Sequence, residues 1–158
     1  MSATPRAGTA TRSTDDLNRD VYIFTNLVAT RFAADVERLC REEELTEAHY
    51  RILWVLCLSG SRSGLTMGEI VDGLVNKAAD ATRLVDKLER QGLVTRVPSE
   101  SDRRKVIVTV SAAGRRVFSR LTPKIKNLHI GQMEGLSSPE KLQLVSLLNK
   151  ALWGYSRD

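Results

Sequence analysis

Apolar residues in the first part of the chain recur at intervals of three and four positions. They extend from about Asp15 to Arg41 and are Leu17, Val21, Phe24, Val28, Phe32, Val36 and Leu39. This spacing places them on one face of a helix. The sequence therefore predicts a long amphipathic first helix, and we expect its apolar face to be covered by the chain's own C-terminal part or by a second copy of the chain.

A second helix is predicted after Thr46, a residue well suited to cap a helix N-terminus, and it should end near Ser59. Thr66 and Glu69 then have the spacing of a capping box, in which the hydroxyl and the carboxylate bind free backbone N–H groups. This pair predicts a short helix that ends near Gly73.

A longer helix follows the short one after a tight connection. It is predicted to begin near Asn76 or Lys77 and to end at Gln91, where Gly92 can adopt the left-handed conformation that stops a helix. A short helix and a longer one joined by a tight turn have the form of a helix-turn-helix.

Two runs rich in Val, Ile and Thr follow this pair of helices. They span residues 93–97 and 106–110, with a charged segment, residues 98–105, between them. Such a pattern predicts an antiparallel hairpin with a charged tip.

Two further helices are predicted after the hairpin. Ser111 caps the first of them, in which Pro123 should introduce a bend. Ser137 caps the second, with Pro139 in its first turn. The predicted fold class is mainly α with one small antiparallel β-hairpin.

The composition adds a basic balance to this picture. The chain has 158 residues, of which 42% are hydrophobic and 27% charged, and these values are ordinary for one globular domain. Its net charge of +5 favours polyanionic partners such as nucleic acid. No apolar run is long enough to cross a bilayer, and residues 1–14 have the composition of a flexible tail and not of a secretory signal. We therefore expect a cytoplasmic protein with no membrane partner.

The candidate chemistry points away from catalysis. Cys40 and Cys57 do not have the spacing of metal ligands, so we expect no structural metal and no cofactor. Buried thiols that pack as small hydrophobic groups are the favoured interpretation of both, and a redox-sensing cysteine is the alternative. The sequence shows no paired carboxylates, Ser/His/Asp set or phosphate-binding loop, so an enzyme is the least favoured class.

A helix-turn-helix followed directly by a basic hairpin is a winged helix. The longer helix of such a unit fits the wide major groove of DNA, and the hairpin can reach the flanking backbone or the minor groove. Cations and carboxylates alternate over residues 77–105, so this surface is patterned and not uniformly positive.

The stretch from Thr82 to Gly114, TRLVDKLERQGLVTRVPSESDRRKVIVTVSAAG, resembles the MarR (multiple antibiotic resistance regulator) family. The resemblance lies in the end of the recognition helix, the Gly-Leu-Val start of the first strand, the Asp-x-Arg wing and the Ala-Gly start of the next helix. It implies a homodimer in which the first helix and the last two helices of each subunit interlock. Two winged lobes would then bind a pseudo-palindromic operator in double-stranded DNA.

The resemblance also implies a division of the chain. A flexible tail at residues 1–14 would precede a first dimerisation helix at residues 15–45. The winged helix-turn-helix lobe would occupy residues 46–111, and the C-terminal dimerisation helices would occupy residues 112–158.

The tip of the wing has a specific role in this family. Arg104 would enter the minor groove, and Asp102 would help to hold it. A narrow minor groove concentrates negative potential, and a guanidinium braced by a carboxylate is preorganised to enter it. An ordinary solvated turn is the alternative interpretation.

The start of the longer helix departs from the commoner family pattern. Lys77 could contact guanine or phosphate, and Asp80 could accept a hydrogen bond from a cytosine amino group or could simply be a carboxylate favoured in a first turn. The candidate DNA-binding residues are Thr66, Asn76, Lys77, Asp80, Thr82, Arg83, Lys87, Arg96, Asp102, Arg103, Arg104 and Lys105.

Family members often bind small aromatic or lipophilic acids between the dimerisation helices and the winged lobe. Arg31, His49, Arg51 and Trp54 lie on the two helices that would border such a pocket. A cationic group beside an aromatic wall suits an aromatic carboxylate. The alternative is that Trp54 belongs to the core and the others are surface or capping groups. His129 is interpreted as a solvated residue or one that faces the end of a helix.

These inferences predict a sequence-specific regulator of transcription, a ligand-responsive repressor that acts as a homodimer and is not an enzyme. Its expected partners are double-stranded DNA, a second copy of the chain and a small aromatic or lipophilic acid. The alternative from another class is a winged-helix module that only binds proteins, with its basic wing on an acidic partner.

Overall fold

A computed structural model of the chain describes residues 13–61, 63–74, 80–99, 102 and 105–154. Within these ranges the fold is mostly helical with a small antiparallel sheet, which confirms the predicted fold class. The elements in chain order are α1 (Thr14–Arg41), α2 (Glu47–Leu58), β1 (Leu65–Thr66), α3 (Met67–Gly73), α4 (Ala81–Arg90), β2 (Val94–Pro98), β3 (Val106–Val110), α5 (Ala112–Gln132) and α6 (Ser138–Trp153).

The predicted helix caps are present. Thr66 and Glu69 form the capping box of α3, with the Thr66 N–H donating to Glu69 Oε2 at 2.7 Å. Ser111 Oγ accepts the third backbone N–H group of α5 at 3.0 Å. At the start of α6 the hydroxyl and the N–H of Ser137 donate to Glu140 Oε2 at 2.6 Å and 2.8 Å, and these two hydrogen bonds lower the pKa of Glu140. Local polar pairing therefore sets where these helices begin.

The sheet contains a strand that was not predicted. β1 pairs with β3, with Leu65 opposite Val108, so that the strand order is β1-β3-β2. The predicted hairpin of β2 and β3 is confirmed, in antiparallel register. Gly64, at a φ of +91°, leads into β1, and a Cβ atom there would lie 2.5 Å from the Val108 carbonyl oxygen. Only glycine fits this approach without a shift of the chain.

The predicted start of the longer helix, near Asn76 or Lys77, falls within residues 75–79, which lie outside the described ranges. Within those ranges α4 starts at Ala81, and Asp80 takes the N-cap position without a side-chain hydrogen bond to the backbone. The end of the helix is as predicted, because Gly92 has a φ of +69°.

The chain divides into two compact units, residues 1–34 and 35–158. The described part of the first unit is residues 13–34, of which residues 14–34 belong to α1, and most of the predicted tail lies outside the described ranges. The core lies in the second unit. Its largest fully buried side chains are Leu45, Ile52, Leu53, Ile70, Leu88, Leu121, Val85, Val94, Val108 and Cys40.

Cys40 and Cys57 are free cysteines. Cys40 is fully buried, and burial, aided by Glu37 and Glu47, raises the pKa of its thiol to about 11. Burial also raises the pKa of Cys57. Because the thiolate is the reactive form, both environments favour the interpretation of packed thiols over that of a redox sensor.

No helix within the described ranges is both long enough and apolar enough to span a bilayer.

Candidate nucleic-acid interface

The inner faces of α3 and α4 pack into the core of the second unit. Ile70 of α3 and Val85 and Leu88 of α4 are fully buried. Because these side chains point inward, Thr82 and Arg83 remain exposed on the outer side of α4, near its start. The helix can therefore present polar side chains to a groove while its apolar side stays packed.

Thr66 caps the N-terminus of α3. Its hydroxyl donates to Glu69 Oε2 at 2.7 Å and accepts from the Glu69 N–H at 3.3 Å. The Thr66 backbone N–H and hydroxyl together lower the pKa of Glu69. Its predicted contact with DNA stays a prediction.

The two other charged candidates on the helix differ in environment. Asp80 is exposed at the N-cap of α4. Lys87 is half-buried, and its positive charge helps to lower the pKa of His49, for which burial is the main cause.

Among the candidate cations that the structure describes, Arg96 in β2 forms ion pairs with carboxylates on α4. Its Nη1 atom lies 2.5 Å from Asp86 Oδ1 and 3.1 Å from Glu89 Oε2. Its Nη2 atom donates to the Thr82 carbonyl oxygen at 3.4 Å. All three partners belong to α4, so the side chain joins the first strand of the wing to the helix.

The base of the wing tip is closed by backbone hydrogen bonds. The Lys105 N–H donates to the Asp102 carbonyl oxygen at 2.8 Å, and the Ser99 N–H donates to the Lys105 carbonyl oxygen at 2.9 Å. Lys105 is exposed. Four candidates lie outside the described ranges, so their roles stay predictions: Asn76, Lys77, Arg103 and Arg104.

A cavity of about 350 Å³ lies beside the winged lobe, within residues 35–154. Arg51 and Trp54, two of the four predicted pocket residues, line it, and Arg51 is paired with Glu47 at 2.7 Å. The walls are Val36, Glu47, Tyr50, Arg51, Trp54, Val55, Gly73, Leu74, Ile125 and His129.

A second, wider cavity of about 590 Å³ shares part of these walls and adds Lys126 and Lys141. Tyr50 is a wall of both cavities and was not predicted from the sequence, although it lies four positions before Trp54 and therefore on the same face of α2. The Tyr50 ring stacks on Phe118, with ring centroids 5.9 Å apart.

The other two predicted pocket residues are placed differently. His49 is only 3% exposed and caps α2, since its Nδ1 atom accepts the Thr46 N–H at 3.1 Å. Arg31 is exposed and belongs to the first compact unit. Roles for both in ligand binding stay predictions.

Comparison with known proteins identifies the lobe. A model of the MarR family matches residues 44–105, which include α2, α3, α4 and β2. The chain is also 25% identical over 138 residues to the HTH-type transcriptional repressor IacR of Pseudomonas putida, and the match covers 86% of this chain and 81% of IacR. The segment formed by residues 44–105 is of the MarR family.

MarR family proteins are transcriptional regulators that bind DNA, and solved structures of this family share the fold. A mutant MarR from E. coli, solved in complex with operator DNA, matches with a TM-score of 0.77 at 20% identity, covering 89% of this chain and 99% of that one. CouR from Rhodococcus jostii, solved with bound p-coumaroyl-CoA, matches with a TM-score of 0.73 at 21% identity, covering 90% and 98%. The winged-helix architecture predicted from the sequence is thus confirmed.

Proposed function

We propose that this protein is a homodimer that binds a pseudo-palindromic operator in double-stranded DNA and represses transcription until a small acid releases it. The observation that carries the proposal is that α4 and the β2–β3 hairpin lie side by side in one packed lobe. A helix for the major groove and a ribbon for the flanking DNA are thereby held together. The match of residues 44–105 to the MarR family and the likeness to a MarR–operator complex support this assignment.

Exposed apolar side chains support a second copy of the chain. α6 contributes no buried residue, and Leu142 and Val145 on it are 73% and 65% exposed. Within residues 13–34, α1 exposes Val21 and Leu27 by 64% and 59%. Monomeric proteins rarely present extended apolar surfaces to water, and a two-fold pairing of identical chains can cover them. Two lobes fixed by such a pairing could contact two half-sites of one duplex.

The 350 Å³ cavity supports a small aromatic or lipophilic acid as effector. Its volume falls within the range of about 300–1,000 Å³ that is usual for ligand pockets. Tyr50 and Trp54 offer aromatic walls, while Arg51 and His129 offer polar groups for a carboxylate. Binding would lower DNA affinity by favouring a spacing of the two lobes that no longer matches successive major grooves.

The test is a titration of the wild type and of Arg104→Ala with a duplex from the promoter region of its own gene. The substitution should weaken binding by about 1–3 kcal/mol, the scale of one good groove contact. Arg38→Ala is the matched control, because it removes an exposed arginine that is paired with Asp35 on α1. Repression is then checked by transcription from the bound promoter, which the protein should lower and a small aromatic acid should restore.

Unchanged affinity of Arg104→Ala would contradict the role of the wing. Failure of the wild type to bind any duplex in preference to others would reject the proposed function and favour a module that only binds proteins.

A further inference from the structure

We propose that Arg96 is a positioning residue that fastens the wing to the recognition helix and does not itself bind a phosphate. The inference rests on the proposed function and gives Arg96 a role different from the one expected from its charge. In this role Arg96 sets the angle at which the hairpin and α4 meet the duplex, so that both reach their grooves together.

The guanidinium group of Arg96 contacts three groups on α4. Its Nη1 atom contacts Asp86 Oδ1 at 2.5 Å and Glu89 Oε2 at 3.1 Å, and its Nη2 atom donates to the Thr82 carbonyl oxygen at 3.4 Å. Residues 82, 86 and 89 are spaced by four and three, so they lie along one side of α4. One side chain from β2 therefore engages about two turns of the helix.

Both ends of this contact belong to packed elements. Arg96 stands opposite Val108 in the central strand β3, and Val108 is fully buried. Asp86 and Glu89 flank Leu88, which is also fully buried. A bridge between two packed elements fixes their relative position, whereas a bridge to a mobile segment would not.

The charges in this cluster also favour the pairing of Arg96 with α4. One guanidinium faces two carboxylates, so the group as a whole carries a net charge of 1 − 2 = −1. If Arg96 turned away to a phosphate, it would leave Asp86 and Glu89 unpaired close to a polyanion. The planar fork of arginine suits the simultaneous binding of two oxygen acceptors, which the compact ammonium of lysine matches poorly.

Because water reaches these three side chains, their ion pairs add little to the stability of the fold. The side chains of Arg96, Asp86 and Glu89 are 24%, 44% and 39% exposed, and ion pairs that water reaches contribute little to folding. The effect of removing the pairing should therefore appear in DNA recognition more than in the melting temperature.

The experiment uses the full-length protein, an operator selected from random duplexes with the wild type, and a scrambled duplex of the same length. Affinities for both duplexes are measured over a range of salt concentrations for Arg96→Gln and for the double variant Asp86→Asn with Glu89→Gln. Arg83→Gln is the matched control, because Arg83 is an exposed arginine on the same helix. Circular dichroism and the melting temperature establish that each variant folds.

We expect Arg96→Gln to lower the operator affinity about tenfold or more, while the affinity for the scrambled duplex and the slope of log affinity against log salt stay as in the wild type. The double variant should lose operator preference by a similar factor, although it removes two negative charges from the neighbourhood of DNA. Arg83→Gln should instead weaken binding to both duplexes by the same factor. It should also make the slope of log affinity against log salt shallower by about 0.9, the change expected when one phosphate is no longer neutralised.

The proposal would be overturned if Arg96→Gln lost the same factor of affinity for both duplexes and showed a shallower dependence of affinity on salt. Arg96 would then be a phosphate contact. So would a double variant that binds its operator more tightly than the wild type. Where Arg96→Glu folds, adding Glu89→Arg should restore part of the operator preference, and no recovery would also count against the proposal. Failure of the wild type to select any operator would instead reject the proposed function.

Discussion

His49 shows how one side chain can hold the start of a helix. Its ring Nδ1 atom accepts a hydrogen bond from the Thr46 backbone N–H at 3.1 Å. The backbone N–H of His49 donates to Thr46 Oγ1 at 3.4 Å, which completes a capping box. A ring nitrogen can accept a hydrogen bond only when it is unprotonated. The cap of α2 therefore requires the neutral form of a buried histidine.

Acidification should weaken the fold through this residue. Burial, aided by the charge of Lys87, lowers the pKa of His49 from its ordinary value of 6.5. Below about pH 6.5 the unfolded chain therefore binds a proton that the folded chain resists, and stability is lost as the pH falls towards the folded pKa. Above pH 6.5 the stabilisation is fully present.

Urea unfolding from pH 7.5 to pH 5 measures this loss against His49→Gln, which retains a side chain typical of capping boxes. The stability advantage of the wild type over the variant should shrink on acidification, by at most about 1.4 kcal/mol per pH unit. His129→Gln, which removes an exposed histidine, is the control. An advantage that stays constant across the range would contradict this account of His49.

Individual residues were predictable from the sequence where a local rule applies. The Thr66–Glu69 box was expected because glutamate at the third helical position is the usual partner. The pairing of Thr46 with His49 was not, since histidine is not the usual partner. The carboxylates around Arg96 were also missed, because this pairing joins a strand to a helix and leaves no signature in short-range spacing.

At the scale of elements, α5 is tied closely to the hairpin. Ser111 Oγ donates to the Gly92 carbonyl oxygen at 2.7 Å, and the Ser111 N–H donates to the Leu93 carbonyl oxygen at 3.0 Å. Gly114, in the first turn of α5, packs so closely that a Cβ atom would overlap the Leu93 carbonyl oxygen and lie 2.9 Å from Val110 Cγ2. The absence of a side chain at this position allows the helix to approach the sheet.

Two glycine substitutions in α5 should therefore have opposite effects. Gly114→Ala should destabilise the protein by roughly 1–3 kcal/mol, as overpacking does, even though alanine is the better helix former. At Gly131 a Cβ atom would meet no atom within 4 Å, so Gly131→Ala should be neutral or should stabilise by up to about 1 kcal/mol. Urea unfolding of the two variants measures the difference, and equal effects would contradict the packing described for Gly114.

The limits of most elements could be predicted because caps and stop signals are local. α1, α2, α3, α5 and α6 begin within about one residue of their predicted starts. β1 was missed because two residues are too short for an alternating pattern, and only pairing with β3 makes them a strand. The predicted start of α4, near Asn76 or Lys77, lies outside the described residues, and Asp80 forms no side-chain cap that would mark the start at Ala81.

At the scale of the molecule, α6 exposes apolar side chains that the proposed second copy of the chain would cover. None of its residues is buried, although Val145 and Leu148 are apolar. The sequence predicted the helix, but the arrangement of two copies depends on surfaces that a single chain does not bring together. The cavity walls were only partly predictable, because the end of α1, α2, α3 and α5 supply them from distant parts of the sequence.

Val145→Asp tests the proposed pairing. Because Val145 is 65% exposed, the change should leave the subunit folded but place a charge in an apolar interface, shifting the protein from dimer to monomer and lowering its DNA affinity at least tenfold. Ser146→Asp adds the same charge at the adjacent exposed position and is the control. Sedimentation equilibrium measures the oligomeric state. A Val145→Asp protein that remained as dimeric as the control would contradict the role of α6.

Selection from a pool of random duplexes tests the central claim most directly, because it requires both copies of the winged lobe to act on one molecule of DNA. The purified protein is mixed with the pool, and the retained duplexes are sequenced. The predicted result is an inverted repeat whose half-sites are centred about 10 to 10.5 base pairs apart, one turn of the double helix. Retained sequences no different from the starting pool, or a single half-site without its inverted mate, would contradict the account.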